Sequence, residues 1–153
     1  MTTKPPPSTD DDLLALDRQV CFSLAVASRS VIALYRPILE PLGLTHPQYL
    51  VMLALWHVAP LQFKDLAAQL RLDPATLTPI VGRLERQGLI QRGRLEGDAR
   101  SFTLSPTEKG DALRQKALAV PQMVIERLGI PVERLVALRD ELSQLIAAVD
   151  RAT

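Results

Sequence analysis

The apolar positions of this chain follow a helical period almost throughout and switch to alternation in one place. Between about Asp11 and Glu40, Leu13, Leu16, Val20, Leu24, Ala27, Val31, Leu34 or Tyr35, and Ile38 recur at steps of three and four, the spacing of one helix face. Asp10 or Asp11 is placed to cap this helix. Pro41 and Gly43 stop it, and Pro37 is placed to bend its last turn. A second helix begins after Thr45, with Gln48 at capping-box spacing and Pro47 in the first turn, where a missing N–H costs least. It is apolar nearly all round, the pattern of a central, buried helix. Phe63, Leu66, Ala67 and Leu70 form a short stripe. Asp73 then caps, Pro74 opens and Gly88 closes a further helix. Its inner face is Leu77, Ile80, Val81 and Leu84; Thr76, Thr78, Pro79, Arg83 and Arg86 are left outside.

After Gly88 two short alternating pieces flank Glu96-Gly97-Asp98, which predicts a hairpin. Two helices follow. Pro121 is expected to kink the first, and Gly129-Ile130-Pro131 breaks the pair. The last carries Val132, Leu135, Leu138, Leu142, Leu145, Ile146 and Val149 on its apolar side. The fold class is mainly α with a small β-hairpin wing. The order of short helix, tight turn, capped helix and hairpin gives a winged helix-turn-helix over residues 61–104. Apolar stripes are left over at about 11–40 and 107–152. No repeat or second domain is evident, so residues 10–153 read as a single domain behind a polar, Pro-rich arm, 1–9, expected to be disordered.

Composition narrows this picture in a few places. The chain has 153 residues, 47% of them hydrophobic, enough for one compact domain. With aromatics at 4%, the core must come from Leu, Val, Ile and Ala, which favours helix. Cys21 is the one cysteine, so no intrachain disulfide can form; an isolated thiol suits a reducing, cytoplasmic setting. The N-terminus has no apolar signal core, and no run of about 18 apolar residues exists. Neither a membrane partner nor a metal or cofactor is expected.

A net charge of +1 says little, because a DNA binder of this size needs only a local basic surface. From Pro74 to Arg100, Arg83, Arg86, Arg92, Arg94 and Arg100 face Glu85, Glu96 and Asp98, a local charge of +2. On composition alone these arginines are as readily a solvated surface. The order of elements favours a DNA reader, whose Thr and Arg side chains reach phosphates and base edges in a major groove.

The text LAAQLRLDPATLTPIVGRLERQGLIQRGR, followed by GDARSFTLSPTEKG, resembles the MarR family of winged-helix regulators. The resemblance covers Leu61 to Gly110 and implies that Arg100 enters the minor groove while Asp98 orients wing residues, Arg94 and Ser101 among the DNA-facing set. It also implies a homodimer, held by the N- and C-terminal helices, on a pseudo-palindromic operator of double-stranded DNA. Ser105-Pro106-Thr107 departs from the family's usual Leu-Thr junction.

A further stretch, LDRQVCFSLAVASRSVIALYRPILEPLGLTHPQYLVMLALW, is similar to the organic-hydroperoxide-sensing branch of that family, in its one-cysteine form. That similarity implies a DNA-releasing switch. Cys21 is its redox-active thiol and Tyr35 its activating phenol, an organic hydroperoxide is the signal, and a small cellular thiol is the mixed-disulfide partner. His46 stands where the branch often has a second tyrosine, and Ala25 where another is common. Tyr49 matches, though a core residue with a tethered hydroxyl is an equal reading. Fourteen residues separate Cys21 from Tyr35, about 21 Å along a straight helix, so Tyr35 is expected to arrive from the partner chain. The competing readings are a regulator released by a small aromatic ligand, with Cys21 an inert interface thiol, and a one-cysteine peroxidase, which leaves the basic wing without purpose.

Overall fold

The structure is a computed structural model that describes residues 13–153; the expected arm at 1–9 and the caps Asp10 and Asp11 lie outside the described residues. A 3₁₀ turn at Leu16–Arg18 precedes helix α1 (Val20–Leu39). Helix α2 (His46–His57), the short strand β1 (Leu61–Gln62) and helices α3 (Phe63–Leu70) and α4 (Pro74–Arg86) follow. The hairpin is β2 (Ile90–Leu95) and β3 (Asp98–Pro106), and three helices close the chain: α5 (Glu108–Ala117), α6 (Val120–Leu128) and α7 (Val132–Ala152).

The first helix departs from the expected span of 11–40. Gln19 is extended, and its Nε2 donates to the Leu13 carbonyl at 2.8 Å, so the regular helix starts only at Val20. Leu13, Leu14, Leu16 and Val20 are all exposed, and periodicity without tertiary packing does not hold a helix together. Pro37 is accommodated inside α1, whose last residues Ile38 and Leu39 are buried. By length and mean hydropathy, Val20–Leu42 is apolar enough to cross a membrane, a property the count of consecutive apolar residues did not register. Arg29 and Arg36 interrupt it.

Thr45 caps α2 through the expected box: its Oγ1 accepts from the Gln48 N–H at 3.4 Å, and Gln48 Oε1 accepts from the Thr45 N–H at 3.0 Å. Val51, Met52, Ala54 and Leu55 are buried, but Leu50 (37%) and Leu53 (41%) are exposed, so the helix is central on one side only. The capped helix α4 matches its expected bounds. Asp73 accepts from the Thr76 N–H at 2.8 Å, and Gly88, at φ +72°, closes the end. Leu77, Val81 and Leu84 are buried and Ile80 is half-buried.

The sheet is three-stranded and antiparallel in the order β1-β3-β2. Leu61 pairs with Leu104 and Gln62 with Thr103. The pattern missed β1 because two residues cannot display an alternation. Pro121 does more than kink its segment. The chain separates into α5 and α6 at Leu118 and Ala119, and Pro121 sits in the first turn of α6, where its missing N–H is harmless.

Gly110 marks the tightest approach around the hairpin. It lies in the first turn of α5, its N–H donates to Thr107 Oγ1 at 3.1 Å, and its carbonyl accepts from Trp56 Nε1 at 3.1 Å. A Cβ at this position would overlap the Leu89 carbonyl oxygen. Gly110→Ala is therefore expected to push α5 off the head and cost about 1–3 kcal/mol, read as a lower urea midpoint with unchanged slope.

Candidate nucleic-acid interface and thiol site

The reading head is built around α4. Its buried stripe fixes the helix on the core, which leaves Thr76, Thr78, Pro79, Arg83 and Arg86 exposed on the other side. Thr78 Oγ1 donates to the Pro74 carbonyl at 2.7 Å and keeps its lone pairs available as acceptors. Arg83 and Arg86 make no ion pair among the described residues, so both guanidinium groups can donate to phosphate or base edges.

The hairpin divides its arginines. Arg94 and Arg100 are exposed. Arg92 is not a free charge: it pairs with Glu85 at 2.9 Å and stacks over Phe102, 4.1 Å from the ring centre. Its guanidinium thus fastens the hairpin to α4, which corrects the simple count of basic residues. Asp98 accepts from the Arg100 N–H at 2.9 Å and from Ser101 Oγ at 2.8 Å. These bonds, the Arg100 amide first, hold its carboxyl below the usual carboxylate range. Lys64, on the first turn of α3, adds its charge beside Asp98. Sequence reading passed it over, because nothing in the pattern of α3 says that the hairpin folds back there.

Cys21 lies at the second position of α1 and is exposed. The later helix start changes its setting from mid-helix to first turn, where backbone amides have no partner within the helix. Tyr35, His46 and Tyr49 come together at the far end of the same helix. The Tyr35 and His46 rings meet edge to face at 5.1 Å, and the Tyr35 and Tyr49 rings lie 5.9 Å apart. Burial raises Tyr35; burial and then the Tyr35 charge raise Tyr49. Both phenols therefore stay protonated at neutral pH and can act as O–H donors. Burial lowers His46, so its imidazole is mostly neutral at pH 7, with one ring N–H to donate and one ring nitrogen to accept. Its contribution to stability is full above about pH 6.5 and is lost as pH falls below that value.

Two further features surround this cluster. A cavity of about 400 Å³ opens beside it, lined by Ile32, Arg36, Leu44, His46 and Pro47 among others. Gln48, the buried polar residue of α2, donates to Gln87 Oε1 at 3.3 Å, and Gln87 Nε2 donates to the Gly43 carbonyl at 2.8 Å. The end of α4 is thus hydrogen-bonded to the segment that carries His46. Within one chain, Cys21 and this cluster occupy opposite ends of a 20-residue helix.

The profile of the MarR family matches residues 44–102. The chain is 44% identical over 114 residues to the organic hydroperoxide resistance transcriptional regulator of Bacillus subtilis, covering 74% of this chain and 78% of the relative. The chain belongs to the MarR family. Its winged-helix fold is shared with AbfR of Staphylococcus epidermidis, solved in the reduced state on DNA, at a TM-score of 0.72 and 30% identity over 92% of this chain and 99% of that one. CouR of Rhodococcus jostii, solved with p-coumaroyl-CoA, matches at a TM-score of 0.74 and 28% identity over 86% and 94%. As a MarR protein this chain is a DNA-binding transcriptional regulator and not an enzyme. Helix α1, apolar as it is, falls within a fold shared over most of the chain with DNA-bound regulators.

Proposed function

We propose that this protein is a dimeric repressor that holds a pseudo-palindromic operator when reduced and releases it when an organic hydroperoxide oxidises Cys21. The observation that carries the reading is an exposed lone thiol on the first turn of α1, in a chain 44% identical to a hydroperoxide resistance regulator. In the dimer, the apolar faces of α1 and α7 cover each other. Val20, Val31, Ile32, Leu138 and Val149 are exposed in the single chain, and no residue of α7 is buried. Because the phenol cluster lies about 21 Å along α1 from the thiol, each Cys21 meets the cluster of the partner subunit.

The chemistry runs in two steps. The Cys21 thiolate attacks one oxygen of the peroxide; an S–O bond forms, the O–O bond breaks, and the alkoxide leaves as an alcohol after taking a proton. The sulfenic acid then condenses with a small cellular thiol; an S–S bond forms and water leaves. Tyr35 and His46 donate hydrogen bonds to the thiolate or to the departing oxygen, and the cavity beside His46 takes the organic group. Release is assigned to the mixed disulfide, whose bulk separates the helices at the seam. AbfR has been solved on DNA in the overoxidised state as well as the reduced one, which supports placing the switch on that bulkier adduct. The reading heads of one chain and its partner then lose the spacing of two half-sites.

The test is to treat the DNA-bound protein with cumene hydroperoxide in the presence of a small thiol, following DNA loss by anisotropy and the adduct on Cys21 by intact mass. Release should track the mixed disulfide in proportion; release with an unmodified thiol would refute the reading. Tyr35→Phe removes one donor and should slow thiol oxidation roughly tenfold, the worth of one hydrogen bond in the transition state, with reduced-state DNA affinity unchanged. Loss of free thiol against time measures this.

One observation favours the second reading, release by a small aromatic ligand with Cys21 passive. A cavity of about 490 Å³ lies between α2 and the α5–α6 junction, lined by Tyr49, Trp56, His57, Arg114 and Leu118 among others. Its aromatic walls and one guanidinium suit an aromatic acid, and CouR has been solved with a coumaroyl ligand. Release by 4-hydroxybenzoate alone, in the absence of peroxide, would favour this reading.

A further inference from the structure

Arg71 and Asp150 are each unfavourable where they stand, and they meet. Arg71 terminates α3 with φ at 55°, the one positive-φ residue other than glycine among the described residues. That conformation crowds a Cβ and ordinarily goes to glycine. Asp150 lies in the last turn of α7, where the negative end of the helix dipole disfavours a carboxylate. The two side chains form a two-pronged pair, Nη1 to Oδ1 at 3.0 Å and Nη2 to Oδ2 at 2.6 Å. The mutual hydrogen bonds raise Arg71 and hold Asp150 below the usual carboxylate range. Among the described residues this is the one side-chain hydrogen bond from α7 to another element.

The location of the pair gives it a role. Arg71 stands in the turn between the two helices of the reading head, two residues before the Asp73 cap of α4. Its N–H and that of Leu72 close α3 on the carbonyls of Ala68 and Ala67, so the direction in which α4 leaves α3 is set here. Asp150 belongs to a long helix with no buried residue of its own. Two local costs accepted at one contact point to a function for that contact beyond local stability.

We propose that Arg71 and Asp150 form a strut through which α7 fixes the angle of the reading head, so that both act as positioning residues for DNA binding without touching DNA. The strut is independent of the thiol chemistry and requires only that the protein binds a duplex. A planar two-pronged pair resists rotation in a way that a single contact does not, so losing it frees the head to swing about the α3–α4 turn.

The experiment uses the full chain and a duplex selected by the unaltered protein from a random-sequence pool. Asp150→Asn is expected to weaken binding by about threefold to tenfold with the slope of log affinity against log salt unchanged, because no phosphate contact is lost. The thermal midpoint should stay within about 2 °C, since exposed pairs contribute little to stability. The exchanged pair, Arg71→Asp with Asp150→Arg, should recover most of the affinity lost by Arg71→Asp alone. Tighter binding by Asp150→Asn with a steeper salt slope would overturn the proposal, and would make Arg71 a phosphate contact that Asp150 masks. Unchanged affinity, or no recovery in the exchanged pair, would overturn it as well.

Discussion

Replacing Cys21 with serine is expected to leave a protein that binds its operator normally and no longer lets go when an organic hydroperoxide is added. The side chain is exposed in the single chain, and serine differs by one atom, so neither a cavity nor an overlap arises. Reactivity is what disappears: a serine hydroxyl is neither ionised at neutral pH nor nucleophilic towards a peroxide oxygen. A switch that empties an operator has to change affinity substantially, since moving from about 90% to about 10% occupancy takes roughly a hundredfold difference between states. Reduced and peroxide-treated wild type should therefore differ in affinity by at least roughly a hundredfold, and the serine variant by less than about twofold. Anisotropy titrations of both proteins, with and without cumene hydroperoxide and a small thiol, measure this. Release retained by the variant would move the account to the ligand reading.

Removing the wing arginine should have the other large effect. Arg100 is exposed, and its backbone N–H is fixed by the Asp98 carboxylate at 2.9 Å, which orders the backbone from which the side chain springs. A narrow minor groove attracts such a guanidinium through its negative potential. At about 1–3 kcal/mol for a specific contact, with two wings in the dimer, Arg100→Ala should lower affinity by at least about thirtyfold, leaving the rate of thiol oxidation unchanged. The carboxylate that holds the arginine should not make binding pH-dependent in the physiological range. The folded value of Asp98 is lowered, so its contribution is complete above about pH 4, the ordinary carboxylate value, and is lost only as pH falls through the lowered one. Competition binding between pH 6 and 8 should therefore show no wing-dependent change.

Much of the reading head was legible because its signals are local. Thr45 with Gln48, Asp73 with Pro74, and Gly88 each act within one turn, and the structure places each where its chemistry requires. The features that escaped are those in which residues far apart decide. Strand β1 exists only because Leu104 and Thr103 pair with it. Arg92 counts as a charge until Glu85 and Phe102 are found beside it. Arg71 looks like an unremarkable loop residue until Asp150 returns from the last helix. The first helix failed in the opposite sense: its periodicity runs on before Val20, but nothing packs on those residues within the chain.

The candidate sensing site was legible as residue types and opaque as a place. Tyr35, His46 and Tyr49 come together because α1 packs on α2 near Ile38 and Leu39, a tertiary fact that spacing does not contain. Cys21 is left at the other end of the helix, so the account depends on a second chain.

The direct measurement of that dependence is a crosslink. In Tyr35→Cys the chain has thiols at positions 21 and 35, about 21 Å apart along one helix, too far for a short bismaleimide to bridge within a subunit. Treated with that reagent in the reduced state, the protein should run as a covalent dimer on a denaturing gel, and Tyr35→Cys combined with Cys21→Ser should not cross-link through a 21–35 pair. A monomer carrying two separate reagent molecules would show that Cys21 does not face the partner's residue 35, and would contradict the shared site.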